Sequence, residues 1–306
     1  MRGVLSIACV TVMALALPVT ADTFGTGANQ FSISFVTISG ATNPTNGWCI
    51  VNNDYRIGVF EITNDQWNKF NASLGVPVTG TPPFAYAHEP YWTGANVPTN
   101  CVSWYEAAQF VNWLNTINGY QPAYKFNGAQ GTGNYALATW SAAEADNGTN
   151  LYRHKDAFYY LPNEQEWIKA AFWNGTMIQT YSNASPGDLV SGSPDPAKWN
   201  YALYAESEPW NVGSGVQELN GTFDMMGNVC EWIENPAIDA TYGTSSDRGL
   251  FGGSYLHPVN ALHCWDGNAP ENDHDYIGFR VASEVPEPCS LALLALGGLA
   301  MLRRKR

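Results

Sequence analysis

Gly58-Val-Phe-Glu-Ile-Thr-Asn-Asp-Gln-Trp67 is the stretch on which the reading of this chain turns. Its first half belongs to Tyr55 to Ile62, a stretch with the length of a strand, and its second half opens a helix. Thr63 and Gln66 form a capping box: the threonine oxygen accepts from the third helical amide while the glutamine side chain reaches back to the cap. A helix is therefore predicted to run to about Leu74. The device recurs at Ser103-Trp104-Tyr105-Glu106, after which Ala107, Ala108, Phe110, Val111 and Leu114 make one apolar face. A third box, Asn163-Glu164-Gln165-Glu166, follows Leu161-Pro162 and opens a helix carrying Trp167, Ile168, Ala170 and Ala171.

Outward from these helices, Phe31 to Phe35 alternates apolar and polar residues as a half-buried strand does, and 40–53 has loop composition. Residues 118–156 are rich in Gly and Asn and predict an elaborated loop region. After Trp173 only short strands and turns are signalled. No internal repeat divides the chain, so one domain is expected over about residues 25–283, without a second independent core.

Composition narrows the functional classes. Aromatic residues make up 13% of the 306-residue chain, including 12 Trp, and exclude a disordered polymer. Only 14 Lys and Arg stand against 27 Asp and Glu, a balance that repels phosphate and argues against nucleic acid as a partner. The two ends have the character of addresses. Residues 1–21 combine Arg2, an apolar run from Val4 to Leu17 and a small-residue ending at Ala21, the pattern of a secretory signal whose removal starts the chain at Asp22. At the other end, Val285-Pro286-Glu287-Pro288 precedes an apolar run from Cys289 to Leu302 and the cluster Arg303-Arg304-Lys305-Arg306. That run is shorter than the roughly 20 residues of a stable spanning helix, and its basic end favours the cytoplasmic side. Membrane contact is expected only through this segment. Without both ends, nine basic residues face 26 acidic ones, a formal charge of −17 over residues 22–285. Such a domain favours cations and neutral glycans.

Export permits disulfides, and Cys49, Cys101, Cys230 and Cys264 lie between the two ends. Four cysteines allow three pairings. Cys49 with Cys101 and Cys230 with Cys264 is the favoured arrangement, since each pair falls within one half of the chain.

Six blocks follow one another: Gly58 to Trp67, Val102-Ser-Trp-Tyr-Glu-Ala-Ala108, Leu161-Pro-Asn-Glu-Gln-Glu-Trp167, Met226-Gly-Asn-Val-Cys-Glu-Trp232, Arg248-Gly-Leu-Phe-Gly-Gly-Ser254 and Ile277-Gly-Phe-Arg280. In type and order they resemble the formylglycine-generating enzyme, or sulfatase-modifying-factor, domain. The resemblance covers about residues 55–282 and implies an irregular α+β fold, C-type-lectin-like, with little regular secondary structure. The C-terminal arrangement resembles the PEP-CTERM sorting signal of Gram-negative bacteria that make exopolysaccharide. It implies an exosortase-type sorting protease as a partner and delivery to the cell surface or release.

The family resemblance implies a calcium site built from Asp224, the carbonyls of Gly227 and Val229, and Glu231. Hard oxygen donors of this kind suit calcium. The structural alternative is that Asp224 caps a turn and Glu231 pairs with Arg248 or Arg280. A second calcium site would use Asn200 and the Tyr201 carbonyl, but its other ligands lack counterparts. The family's catalytic cysteines stand four and nine residues after the second glycine of Gly-Gly-Ser, and His257 and Leu262 occupy those positions here. Leucine neither ligates a metal nor attacks a substrate, so formylglycine generation is not expected. His257, His263, Cys264, Asp266, Asp273, His274 and Asp275 nevertheless gather near this block. The weak catalytic candidates are His257 and Cys264; with His263 and His274 they make an alternative transition-metal set for copper or iron, or for zinc. The bland alternative is surface histidines with Cys264 in a disulfide.

Trp67, Trp104, Trp167 and Trp232 fall on block positions and are expected in the core, whereas Phe84, Tyr86, Tyr91, Trp92, Trp265 and Tyr276 lie in loop-like sequence where rings can stack on sugars. Together these readings predict an exported, surface-sorted domain lacking the catalytic cysteine pair, a calcium-stabilised binding or structural module for envelope or exopolysaccharide glycans. The rival reading is a metal-dependent oxidase or oxygenase.

Overall fold

In the computed structural model the described residues are 19–45, 47–183, 189–201, 208–237, 241–259 and 266–286. They form strands β1 (Val19–Phe24), β2 (Phe31–Ile38), β3 (Tyr55–Gly58), β4 (Phe126–Asn127), β5 (Ala136–Leu137), β6 (Ala145–Asp146), β7 (Asn150–His154), β8 (Tyr159–Tyr160), β9 (Cys230–Pro236), β10 (Arg248–Phe251), β11 (Asp266–Asn268), β12 (Ile277–Gly278) and β13 (Ala282–Glu284). Three α-helices accompany them, α1 (Asn64–Leu74), α2 (Trp104–Ile117) and α3 (Glu164–Phe172). One sheet has the order β1-β2-β3-β13-β8 and another β11-β10-β9-β12, with two small hairpins, β4-β5 and β6-β7. Short strands around three short helices give an α+β architecture.

All three helices begin as their local sequence dictates. Thr63, Ser103 and Asn163 each accept from the amide three residues on, and Gln66, Glu106 and Glu166 return the bond to the cap amide. Gly75, in the left-handed region at φ 69°, ends α1. Three expectations need adjusting. The run from Tyr55 is a strand only to Gly58, because Val59 and Ile62 turn their amides to Ser34 and Phe279 instead of continuing one ladder. The loop region 118–156 contains the two small hairpins. The N-terminal strand also begins before residue 25, pairing Val19 through Phe24 with Val36 back to Phe31.

The four block tryptophans are buried, and two of them cross-brace the fold. Trp104 Nε1 donates to the Ile233 carbonyl at 3.0 Å and Trp232 Nε1 donates to the Val102 carbonyl at 2.8 Å, so the start of α2 and β9 hold each other. Satisfying each indole N–H lets large apolar rings be buried without an unpaired donor. One cluster of buried side chains gathers Trp67, Trp104, Phe110, Trp232 and Phe279 between α1, α2 and the sheets; a second cluster packs Trp167, Trp199, Met225, Met226 and Phe251 beside α3.

The expected Cys49–Cys101 disulfide is not formed. Both carry free thiols. Burial and the nearby Lys169 act on the Cys49 thiol, whereas the Cys101 amide donates to the His274 carbonyl at 2.9 Å. Proximity along the chain misled, because the fold sends the two residues to different neighbours. Cys264, and with it the expected partner of Cys230, lies outside the described residues.

Candidate functional site

Strand β9 brings Cys230 beside β12, pairing it with Ile277, and the Cys230 amide donates to the Tyr276 carbonyl at 2.8 Å. The turn after Gly252-Gly253 carries His257 over the same place: its Nδ1 lies 2.7 Å from Ser254 Oγ and 3.9 Å from Cys230 Sγ. Tyr276 then serves as a hub. His274 stacks flat on its ring, with centroids 5.0 Å apart, and His257 meets it edge-on at 5.7 Å. Two of the histidines singled out in the sequence are thus brought around one phenol.

Next to this hub runs a polar chain, in which Trp92 Nε1 donates to Tyr255 Oη at 3.0 Å and Tyr255 donates to Asp275 Oδ2 at 2.9 Å. Burial raises that phenol well above its ordinary range; the bond donated by Trp92 works against the shift and the bond to Asp275 adds to it. Leu262, His263, Cys264 and Trp265 lie outside the described residues, and Asp266 opens β11. Tyr86 is not a surface aromatic; it is buried and stacks on Tyr105 at 6.0 Å. Among the described residues no three His, Cys, Asp or Glu side chains are grouped to hold a metal ion. Cys101 joins this corner through the His274 carbonyl, which nothing in its own sequence neighbourhood signals.

Glu106 links the corner to α2. Its Oε2 accepts from the Ser103 amide at 2.9 Å and its Oε1 from the His88 amide at 3.0 Å, tying the preceding loop to the helix cap. Burial pushes its carboxyl from 4.5 up to about 8, against the lowering effect of those amides. Burial also holds Glu218 up to about 7. A raised carboxyl contributes stability that is complete below its unfolded value and lost as pH rises through its folded value. The melting temperature is therefore expected to fall between pH 5 and pH 9, with a shallower fall in Glu106→Gln. Equal slopes in a pH series of thermal melts would remove Glu106 from the explanation.

The segment of the expected calcium site is densely charged. Glu231 accepts from Arg280 Nε at 2.6 Å and Nη2 at 2.5 Å and from Trp167 Nε1 at 2.8 Å, so of the two arginines considered as its partner it is Arg280 that pairs. Arg248 instead lies between the faces of Trp104 and Tyr152, 4.6 Å and 3.8 Å from their centroids. Asp224, at φ 60°, accepts from the Gly213 amide at 2.9 Å, and burial moves its carboxyl up to about 6. Glu61 receives one bond, from Asn228, while its buried Oε1 has no hydrogen-bond partner; burial and the neighbouring Asp224 raise it well above the usual range. Four buried carboxylates, at Glu61, Glu218, Asp224 and Glu231, therefore share the field of one guanidinium. Gly227 passes so close to the Asn200 carbonyl that a Cβ would stand 2.2 Å from it, which brings the segments of both expected calcium sites together. The interior therefore holds more acid groups than counter-charges, with one oxygen, Glu61 Oε1, left without a hydrogen-bond partner. Asp224, Glu231 and the carbonyls of Gly227 and Val229 are hard oxygen donors in type, and both oxygens of Glu231 and one of Asp224 already accept hydrogen bonds within the protein.

The short helices, small sheets and long connections are those of a C-type-lectin-like domain. The chain belongs to the family described as the sulfatase-modifying factor enzyme 1-like domain, which matches residues 23–285, and residues 284–306 match the PEP-CTERM protein-sorting motif. That motif is a surface-sorting signal of Gram-negative bacteria, handled by an exosortase-type system. Among solved structures, the fold is similar to variable protein 1 of Treponema denticola, with 20% identity, a TM-score of 0.60, and coverage of 87% of this chain and 99% of that one. It is also similar to CarF, with 22% identity, a TM-score of 0.58, and coverage of 83% and 98%. A comparison with curated proteins finds no match.

Proposed function

We propose that this is a surface-delivered, calcium-stabilised binding module that has lost its family's thiol oxidase chemistry. The observation that carries the reading is the catalytic corner itself. The family's two cysteine positions hold His257 and Leu262, and His257 Nδ1 is already engaged by Ser254 Oγ. An imidazole and a leucine at those two positions do not supply the two thiolates on which that oxidation depends. Calcium is supported by the surplus of buried carboxylates around Asp224 and by the unpaired Glu61 Oε1. The bound ion would contribute positive charge in that interior, and Asp224 and Glu231 would orient the 224–231 segment about it. Glycans of the envelope or matrix are the partners this reading favours.

The test is elemental analysis and thermal melting of the processed protein purified from its host. One calcium per chain is expected, with a melting temperature lowered by about 5 °C or more on chelation. A melt indifferent to calcium and chelator would overturn the calcium site. Stoichiometric copper, iron or zinc, with oxygen consumed in the presence of a cysteine peptide, would replace the binding-module reading with the oxidase alternative, for which the approach of Cys230 to His257 is the supporting contact.

A further inference from the structure

Resting on the binding-module reading, we infer that the ring corner formed by Tyr91 and Trp92 is a docking site for uncharged hexose polymers, with Tyr91 as the stacking face. Tyr91 is 68% exposed, and its ring meets that of Trp92 with centroids 4.9 Å apart and planes at 83°. Two rings at right angles make a floor and a wall. Such a corner receives the apolar face of a pyranose on one ring and its edge on the other.

An exposed aromatic loop is usually loose, and this one is not. The Trp92 amide donates to Asn100 Oδ1 at 3.1 Å, while its carbonyl accepts from Asn100 Nδ2 at 2.9 Å and from Asn64 Nδ2 at 2.7 Å. Asn64 Nδ2 also holds the Gly94 carbonyl at 3.0 Å. The indole is fixed from the other side by Tyr255, itself bonded to Asp275. Both asparagines are buried, so their amides clamp the loop from within. Ordering the rings before contact reduces the entropic cost of binding. The same bonds do nothing to hide Tyr91, so the rigidity serves an open surface and not a packed one.

Charge selects the ligand. No Lys or Arg occurs in residues 70–124, 249–259 or 266–279, which hold the two rings and their partners Asn100, Tyr255 and Asp275, whereas Glu89, Glu271, Asp273 and Asp275 do. Anionic polysaccharides find no counter-charge here and meet like charge. A neutral sugar chain meets aromatic faces for its C–H surfaces and carboxylates able to accept from its hydroxyls. A quaternary ammonium is the competing ligand such a corner admits.

Affinity electrophoresis of the processed protein tests this with neutral glucan, mannan and galactan, with alginate as the anionic polymer and tetramethylammonium as a soluble competitor. At least one neutral polymer is expected to retard the protein, and Tyr91→Ala, an exposed change that leaves the clamp intact, to weaken retardation about tenfold or more. Phe84→Ala, removing an equally exposed ring outside the corner, should leave it unchanged. Retardation that survives Tyr91→Ala would overturn the corner while keeping a glycan-binding module. Binding confined to alginate would overturn the ligand class, and displacement of a neutral polymer by tetramethylammonium would support an aromatic corner as the place of binding. Failure of all three neutral polymers would end the proposal, and the chelation melt would still decide the calcium-stabilised module separately.

Discussion

Replacing Arg280 with methionine is expected to cost about 3–5 kcal/mol, the penalty for leaving buried charge without its partner. Arg280 is fully buried and binds both oxygens of Glu231, while Nη1 also donates to the Gly58 carbonyl at 2.9 Å and Nη2 to the Phe223 carbonyl at 2.9 Å. One guanidinium thus joins β3, β9 and the segment before Asp224. Its neighbours hold it firmly protonated, since the attraction of Glu231 and then of Glu61 and Glu218 outweighs burial. Removing it strands Glu231 beside three other carboxylates and frees two carbonyls. Urea denaturation should show the loss, and adding Glu231→Gln to the variant should recover part of it, because a neutral amide relieves the stranded charge. A loss below about 1 kcal/mol would mean that the interior relaxes or admits water around Glu231.

Arg153→Met is expected to be comparably damaging, again about 3–5 kcal/mol, for a different reason. Its guanidinium makes paired bonds to two carboxylates: Nε to both oxygens of Glu234 at 3.0 Å and 2.9 Å, and Nη1 and Nη2 to those of Glu166 at 3.0 Å and 2.9 Å. Glu166 is also the return arm of the α3 capping box, and Glu234 accepts from Tyr124 at 3.0 Å and from Asn150. The variant therefore strands two acids and loosens the start of α3 with them. Arg153→Met with Glu234→Gln should regain stability over the single variant, and a double-mutant cycle in urea measures the coupling. Additive effects would show that the two acids do not depend on the shared arginine.

The comparison of these two arginines shows what local sequence carries. Capping boxes are legible because donor and acceptor are three residues apart, and Thr63, Ser103 and Asn163 behave as their neighbours dictate. The tryptophans were placed in the core by their positions in the blocks, and burial agrees. Arg248 and Arg280 were equal candidates for Glu231, because nothing in a linear reading says that Trp104 and Tyr152 will close over one of them. The Cys49–Cys101 pairing failed for the same reason: nearness in the chain says nothing about which side of the fold a residue reaches. The histidine corner was visible as a concentration of imidazoles, but the hub at Tyr276 and the arrival of Cys101 depend on long-range pairing of β9 with β12 and on the loop before α2.

The place of β13 has a mechanical consequence. It lies inside the five-stranded sheet, hydrogen-bonded to β3 on one side and β8 on the other, and ends at Glu284, where the sorting motif begins. Any pull on the tail would therefore be delivered along an interior strand. Two ladders would bear such a load in shear together, where an edge strand would peel away one bond at a time, so any force on the tail would enter the sheet away from its edge.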